Sequence, residues 1–573
     1  MFLLIEFCLA GIAIATACFF PKLGQKYFER WEQFFRSVAR RRRLVVVGVG
    51  LLALGTRAAL LPILPVPQPT IHDEFSYLLA ADTFAHGRLT NPTHPMWIHF
   101  ETFQVIQRPS YMSMYPPAQG LLLALGQATL GHPFWGVWLS VGFMCAAICW
   151  MLQAWLPDGW ALLGGLLAVI RLASFSYWAD SYWGGALTAT GGALVLGALP
   201  RIERAQRVRD ALAMGLGFAI LANSRPYEGL IFSLPCLAAL LAWLLRKDSL
   251  RLNLVAKRVA LPLSSVLVVS AGMMGYYFWR VTGSPFRMPY QVDRETYAVA
   301  PYFIWQSLKA QPVYHNELIR AFYTHWELSQ FTATRSGIGF AIATLGKINI
   351  LWLFYLGPLF VLTVLAAVAV APYGLRWNQI NPRPRFLLIA SLVSLGGLVP
   401  EVYFRAHYAA PMTCLIFALV LLAMRYLQRW RWRGEQTGAA IVRAVTMACI
   451  TLFVLRAAAA PLHLSVRPVL SVTWCTVEQQ SLDRARVLSQ LPNDPRGKLV
   501  IVRYSPEHNL HAEWVYNSAD IDGSKVVWAR DMGSSQNQEL IRYFKDREAW
   551  LLEADETPLR LSPYSVSVAM RGH

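Results

Sequence analysis

Apolar residues fall in long blocks along this chain, separated by short polar loops. Leu44–Pro62, Val259–Phe278, Leu351–Ala371 and Ala440–Ala460 are each long enough, or nearly so, to cross a hydrocarbon core needing roughly 20 helical residues. Similar blocks lie at about 134–155, 160–175, 184–200, 210–223, 228–245, 386–400 and 407–424. With the first block, Phe2–Phe20, they predict an α-helical polytopic membrane protein of about twelve transmembrane helices. The block at 117–131 is different. It is short, opens on Pro116-Pro117 and holds Gly120, Gly126 and Gly131, so it reads as a re-entrant or surface-lying helix.

Charge gives these blocks a direction. Only 15% of residues are charged, against about 25% in soluble domains. The net charge of +19 is not a nucleic-acid footprint, because the basic residues gather in short loops. Arg40–Arg43, Arg201–Arg209, Arg246–Arg258, Arg376–Arg385 and Arg425–Arg433 are expected on the cytoplasmic side. Both termini then lie outside. Phe2–Phe20 lacks the basic start of a signal peptide and holds Glu6, so it reads as a retained helix. The expected location is the inner (plasma) membrane.

Three regions follow: an N-terminal helix with a basic cytoplasmic loop (1–43), a transmembrane domain (44–460) with outer loops 63–133 and 282–346, and an extracytoplasmic tail (461–573). The second loop is rich in aromatics, which argues against disorder. The tail reads as helix 478–491, strands 498–504 and 525–529, helix 536–545 and strand 549–553, a small α/β domain. Of 8 cysteines, Cys475 alone lies in the tail, so no disulfide forms within it. Sequence gives His508 and His511 no further ligands, so they read as surface residues. The tail is expected to aid acceptor recognition or stability rather than catalysis.

The same topology puts Asp73, Glu74, Asp180, Arg225, Glu228, Glu401, Arg405 and His407 at or near the outer face. Adjacent carboxylates beside hydrocarbon are costly without a use, although capping a helix N-terminus is the structural alternative. The first outer loop opens with His72-Asp73-Glu74-Phe75-Ser76-Tyr77, and its Asp73-Glu74, Tyr77, Ala80, Gly87 and Pro92, with Tyr115-Pro116-Pro117 and Leu121-Leu122-Leu123-Ala124, resemble the GT-C glycosyltransferases. More narrowly it is similar to the bacterial relatives of protein O-mannosyltransferases and of the aminoarabinose transferase acting on lipid A. The resemblance covers roughly residues 44–425. It implies a polyprenyl-phosphate sugar donor, an outward-facing site and Asp73 as catalytic base. Asp180 matches a second functional acidic residue, and Glu74, Tyr77 and Tyr115 belong to the matched motif. The aminoarabinose type carries charges before its Pro-Pro pair, where Met114 and Tyr115 stand here, so that donor is not implied.

The residue types suit the chemistry. An acceptor hydroxyl is a poor nucleophile, and a carboxylate within hydrogen-bond reach can take its proton. The lipid phosphate that leaves needs positive charge, for which arginine's fork of donors is fitted. Arg225, Arg405 and His407 are the expected phosphate-binding residues, with Tyr77 and Tyr115 against substrate. Arg171, inside an apolar block, is a further phosphate candidate or a snorkelling side chain. Direct attack opposite the phosphate would invert the anomeric centre. The acceptor could be a glycan, a lipid or a protein.

No phosphate-binding loop, dinucleotide fingerprint or zinc-type spacing occurs. Some relatives in the resembled group use a divalent cation; no motif here requires one, and no metal ligand or other cofactor is assigned. The rival reading is a polytopic transporter or lipid flippase, which would favour ionisable residues mid-helix and paired broken spans. A non-catalytic assembly protein is a further alternative. Single cysteines placed in 63–116, 282–346 and 465–573 should react with an impermeant reagent on intact cells, and those in 201–209 and 425–433 should not. Labelling of the tail only after permeabilisation would overturn the topology.

Overall fold

The computed structural model describes residues 1–246, 253–371, 380–466, 472–476 and 481–565. The basic loops expected at Arg246–Arg258 and Arg376–Arg385, and the start of the helix expected at 478, lie partly outside the described residues.

Helices occupy each expected span. They are α1 (Phe2–Phe19), α3 (Arg42–Ala59), α6 (Phe134–Trp155), α7 (Asp158–Leu172), α8 (Ala186–Ala205), α9 (Val208–Ala222) and α10 (Pro226–Leu245). After these come α11 (Leu261–Thr282), α13 (Gly337–Leu351) with α14 (Gly357–Ala369), α15 (Pro382–Leu398), α16 (Thr413–Leu427) and α17 (Thr437–Ala457). Among the described residues, 7 helices are long and apolar enough to cross a membrane: Phe2–Phe19, Phe134–Trp155, Pro226–Leu245, Asn253–Thr282, Gly337–Ala369, Ala406–Leu427 and Thr437–Ala457. Helices α7 and α9 have 15 residues each, about 22 Å at 1.5 Å per residue, short of a 30 Å core. The reason is local. Helix α9 stops at Asn223-Ser224-Arg225, and Pro226 opens α10 at its first position. Helix α7 gives way to an irregular, almost wholly buried segment, 173–185.

The basic stretch before α3 also folds, as α2 (Gln25–Ala39), which exposes Tyr27, Trp31, Phe34 and Phe35. This helix was not expected, because its charges mask an apolar stripe at helical spacing. Charges sort to the two ends of the bundle. At one end, Arg42 pairs with Asp158 at 2.8 Å, and Arg36, Arg429, Arg431 and Arg443 line a polar groove with Glu29 and Glu32. At the other lie the first outer loop, the 173–185 segment, Arg225 and the 399–407 turn.

The first outer loop carries α4 (His72–Ala85), packed against α5 (Pro117–Leu130), with a short hairpin of β1 (Val105–Ile106) and β2 (Met112–Ser113) between them. The 14 residues of α5 are too few to cross. The second holds α12 (Pro289–Tyr297) and helical turns over 317–333.

The tail is a four-stranded sheet ordered β4-β3-β5-β6: β3 (Lys498–Arg503), β4 (Val526–Arg530), β5 (Glu548–Glu553) and β6 (Arg560–Pro563). Strand β3 pairs parallel with β4 and β5, and β6 closes the edge antiparallel, a strand not expected from the sequence. Side chains of β3 alternate between two cores. Val500 and Val502 face Val487 of α18 (Asp483–Gln490) and Trp528. Leu499 and Ile501 join Leu540 of α19 (Ser534–Tyr543) in a core that continues into the first outer loop through Leu79, Phe100, Val105 and Tyr111.

Helix α8 presses directly on the 406–412 turn that precedes α16: a Cβ at Gly192 would sit 2.0 Å from the carbonyl oxygen of Pro411. Backbone cannot swing aside as a side chain can, so Gly192→Ala should cost about 1–3 kcal/mol. The measurement is thermal unfolding in detergent; an unchanged midpoint would contradict this packing.

Candidate active site

The site grows from the first turn of α4, where Asp73 and Glu74 are successive residues of one helix and so point about 100° apart. Glu74 does the capping. One carboxylate oxygen accepts the N–H of Thr70 at 2.8 Å and of Ile71 at 3.3 Å. The other accepts the N–H of Tyr182 at 3.0 Å, tying α4 to the buried 173–185 segment. Burial pushes this carboxyl up, against the pull of those N–H groups.

Asp73 is left to face the site. It accepts a hydrogen bond from the Tyr115 hydroxyl, and His72 Nδ1 lies 3.2 Å from its second oxygen. Burial works to raise the Asp73 carboxyl, but His72, Tyr115 and His407 together hold it well below the usual carboxylate range. Asp73 is therefore ionised at neutral pH. Tyr115 stacks on Tyr77, ring centroids 4.4 Å apart, and burial followed by the charge of Asp73 pushes the Tyr115 hydroxyl well above its ordinary value.

Two arginines approach from other segments. The Arg225 guanidinium lies 4.2 Å over the Tyr408 ring, 3.5 Å from Glu228, and within electrostatic reach of Tyr77 and Tyr115. Arg405 is exposed and acts electrostatically on His407 and His511. His407 is buried. Its Nδ1 and its backbone N–H both meet the Tyr177 hydroxyl, at 2.9 and 3.0 Å. Tyr115 and His407 thus act directly on Asp73, Tyr77 stacks on Tyr115, and the charges of Arg225 and Arg405 reach His407.

Asp180 is not part of this group. It is buried against Arg57 at 3.3 Å, and Arg57 also donates to the carbonyls of Ala179, Leu64 and Pro65. Arg171 is likewise committed: it pairs with Glu6 at 2.9 Å and donates to Leu356, while Trp474 Nε1 donates to Glu6. It neither snorkels nor stands free for a phosphate. Among the described residues no three metal-ligating side chains converge.

The surface reading of the tail histidines is corrected. His508 is buried and bonded to Asp555 at 2.6 Å, because the 504–513 loop folds over the sheet. His511 sits half-buried against Trp326, its Nδ1 3.4 Å from His72 Nε2. Sequence reasoning also gave no role to Tyr177 or Tyr408. His72 had a signal, adjacency to Asp73; His511 had none, being 439 residues from its partner.

Burial raises the Asp180 carboxyl to about 7, more than Arg57 lowers it. The folded chain therefore holds this proton more tightly than the unfolded chain, where a carboxyl titrates near 3.9. Its stabilisation is complete below about pH 4 and is lost as pH rises through 7. Asp180→Asn should remove this slope, with stability near that of the wild type at low pH, where Asp180 is itself neutral beside Arg57. Melting curves between pH 4 and 8 test it; an unchanged slope would contradict the assignment.

No family model matches the chain, and no curated protein matches it. Among solved structures it is similar to the Archaeoglobus fulgidus oligosaccharyltransferase tethered to an acceptor peptide containing the NVT sequon, with TM-score 0.47, 11% identity, and coverage of 89% of this chain and 69% of that one. The same enzyme in complex with Zn and sulfate aligns at TM-score 0.46 and 12% identity over 89% and 67% of the two chains. In complex with an inhibitory peptide and a dolichol-phosphate it aligns at TM-score 0.37 and 10% identity over 89% and 69%.

Proposed function

We propose that this protein is a membrane glycosyltransferase that moves a sugar from a polyprenyl-phosphate donor to an acceptor hydroxyl at the outer membrane face, with inversion. The observation that carries this reading is the meeting of Asp73, Tyr115, Arg225, Arg405 and His407, from separated segments, at the bundle end opposite the basic groove. An ionised carboxylate beside cationic side chains is what the reaction needs. Asp73 takes the proton of the acceptor hydroxyl as the new bond forms. Arg405, with Arg225 behind it, holds the phosphate that leaves. Tyr115 orients Asp73 and keeps it charged. Glu74 is a positioning residue, and the Arg57–Asp180 pair fixes the neighbouring segment.

Asp73→Asn keeps the shape and cannot take a proton. Single-turnover transfer by the purified protein in nanodiscs should fall about 10²–10⁴-fold, with donor affinity nearly unchanged. Glu74→Gln should lower stability more than turnover, since its acceptors serve backbone N–H groups. Arg405→Ala should weaken donor binding by about 1.5–3 kcal/mol, and Arg405→Lys should recover only part of it. Transfer at the wild-type rate by Asp73→Asn would end this reading.

A further inference from the structure

We infer that His72 and His511 carry the acceptor's proton from Asp73 to solvent, so that the C-terminal domain supplies a working residue to the site. The inference rests on Asp73 being the base. Its geometric ground is two short contacts in line: Asp73 Oδ2 approaches His72 Nδ1 at 3.2 Å, and His72 Nε2 is hydrogen-bonded to His511 Nδ1 at 3.4 Å. Asp73 keeps its side chain 16% exposed on the side an acceptor would take, His72 is 7% exposed, and His511 is half-buried. His72 Nδ1 has no hydrogen-bond partner of proper geometry, so its lone pair is open to a proton arriving on Asp73.

The transfers balance. The proton taken by Asp73 passes to His72 Nδ1; the His72 Nε2 proton passes to His511 Nδ1; the His511 Nε2 proton passes to water. One proton enters, one leaves, and each ring regains its starting tautomer by a ring flip. An ordinary imidazole binds a proton about 2.6 pH units more tightly than an ordinary aspartate. Burial and the charges of His72 and Arg405 push His511 down to about 4, against Asp73, so it releases the proton rather than trapping it.

Two neighbouring groups are poor receivers. The Tyr115 hydroxyl donates to Asp73 and resists ionisation, so it cannot take the proton. His407 Nδ1 is engaged by Tyr177. Around the relay, Glu327 also acts on His72, while the rings of Phe103, Phe322 and Trp326 cover the two imidazoles. With an acceptor over the exposed side of Asp73, the relay meets water at His511.

The test uses the full-length protein in nanodiscs, with His511→Ala, His511→Gln and His72→Gln compared with Asp73→Asn. Glutamine keeps size and a hydrogen bond but cannot relay. The His511 variants should slow single-turnover transfer roughly tenfold or more, part of the 10²–10⁴ that base catalysis supplies, with donor KM unchanged. Added imidazole should restore much of the His511→Ala rate and shift its pH profile. An inactive Asp73→Asn beside His511→Gln and His72→Gln at the wild-type rate would overturn the relay and leave the base standing. Loss in His511→Ala without imidazole rescue, at an unchanged pH profile, would reduce His511 to a packing residue and also overturn it. An active Asp73→Asn would instead remove the base on which the inference rests.

Discussion

The Glu74 carboxylate satisfies backbone N–H groups from two loops, at Thr70, Ile71 and Tyr182, and the rest of the site depends on that arrangement. A segment such as 173–185, irregular and buried, has no helix or sheet partners for its backbone. Left unpaired, each such group costs roughly 1–3 kcal/mol. Glu74 meets that need from the first turn of α4, and Tyr182 returns the tie by donating to the carbonyl of Pro67. Once Glu74 is committed, helix geometry aims Asp73 elsewhere, toward Tyr115 and His72. The two adjacent carboxylates therefore part, Glu74 bonded to backbone N–H groups and Asp73 facing Tyr115 and His72.

Buried ion pairs perform the longer-range tying. Glu6–Arg171 joins α1 to α7, Arg57–Asp180 joins α3 to the 173–185 segment, and Arg294–Glu327 joins two parts of the second outer loop. Such pairs contribute little net stability because of their desolvation cost, yet breaking one is expensive. Their effect is to specify which segments lie together. In the second outer loop this is reinforced by Tyr302, whose ring lies 4.6 Å from the Arg294 guanidinium.

The C-terminal domain is not an appendage. Its sheet shares a core with the first outer loop, and Tyr516 stacks on Phe75, two residues from Asp73, at 4.4 Å. Asp82 accepts the backbone N–H of Ala519, and Arg530 donates to the carbonyl of Glu101. These contacts fix the position of the 504–513 loop and so deliver His511 to His72.

What the sequence determined by itself was local and periodic. The helical blocks, the short α5, and most strands and helices of the tail follow from hydrophobic period and breakers, which act over a few residues. The sorting of Asp73, Arg225, Arg405 and His407 to one end followed from loop charge. Tertiary structure alone decided the rest. Glu74 ties α4 to the 173–185 segment, because only the folded chain brings the Tyr182 N–H within reach. Arg171 is paired with Glu6, and Asp180 lies against Arg57, because segments distant in sequence pack side by side. His511 enters the site because a sheet's second face needed an apolar cover and found it on the first outer loop. No pattern of nearby residues encodes such meetings, since the burial that drives them is shared between surfaces hundreds of residues apart.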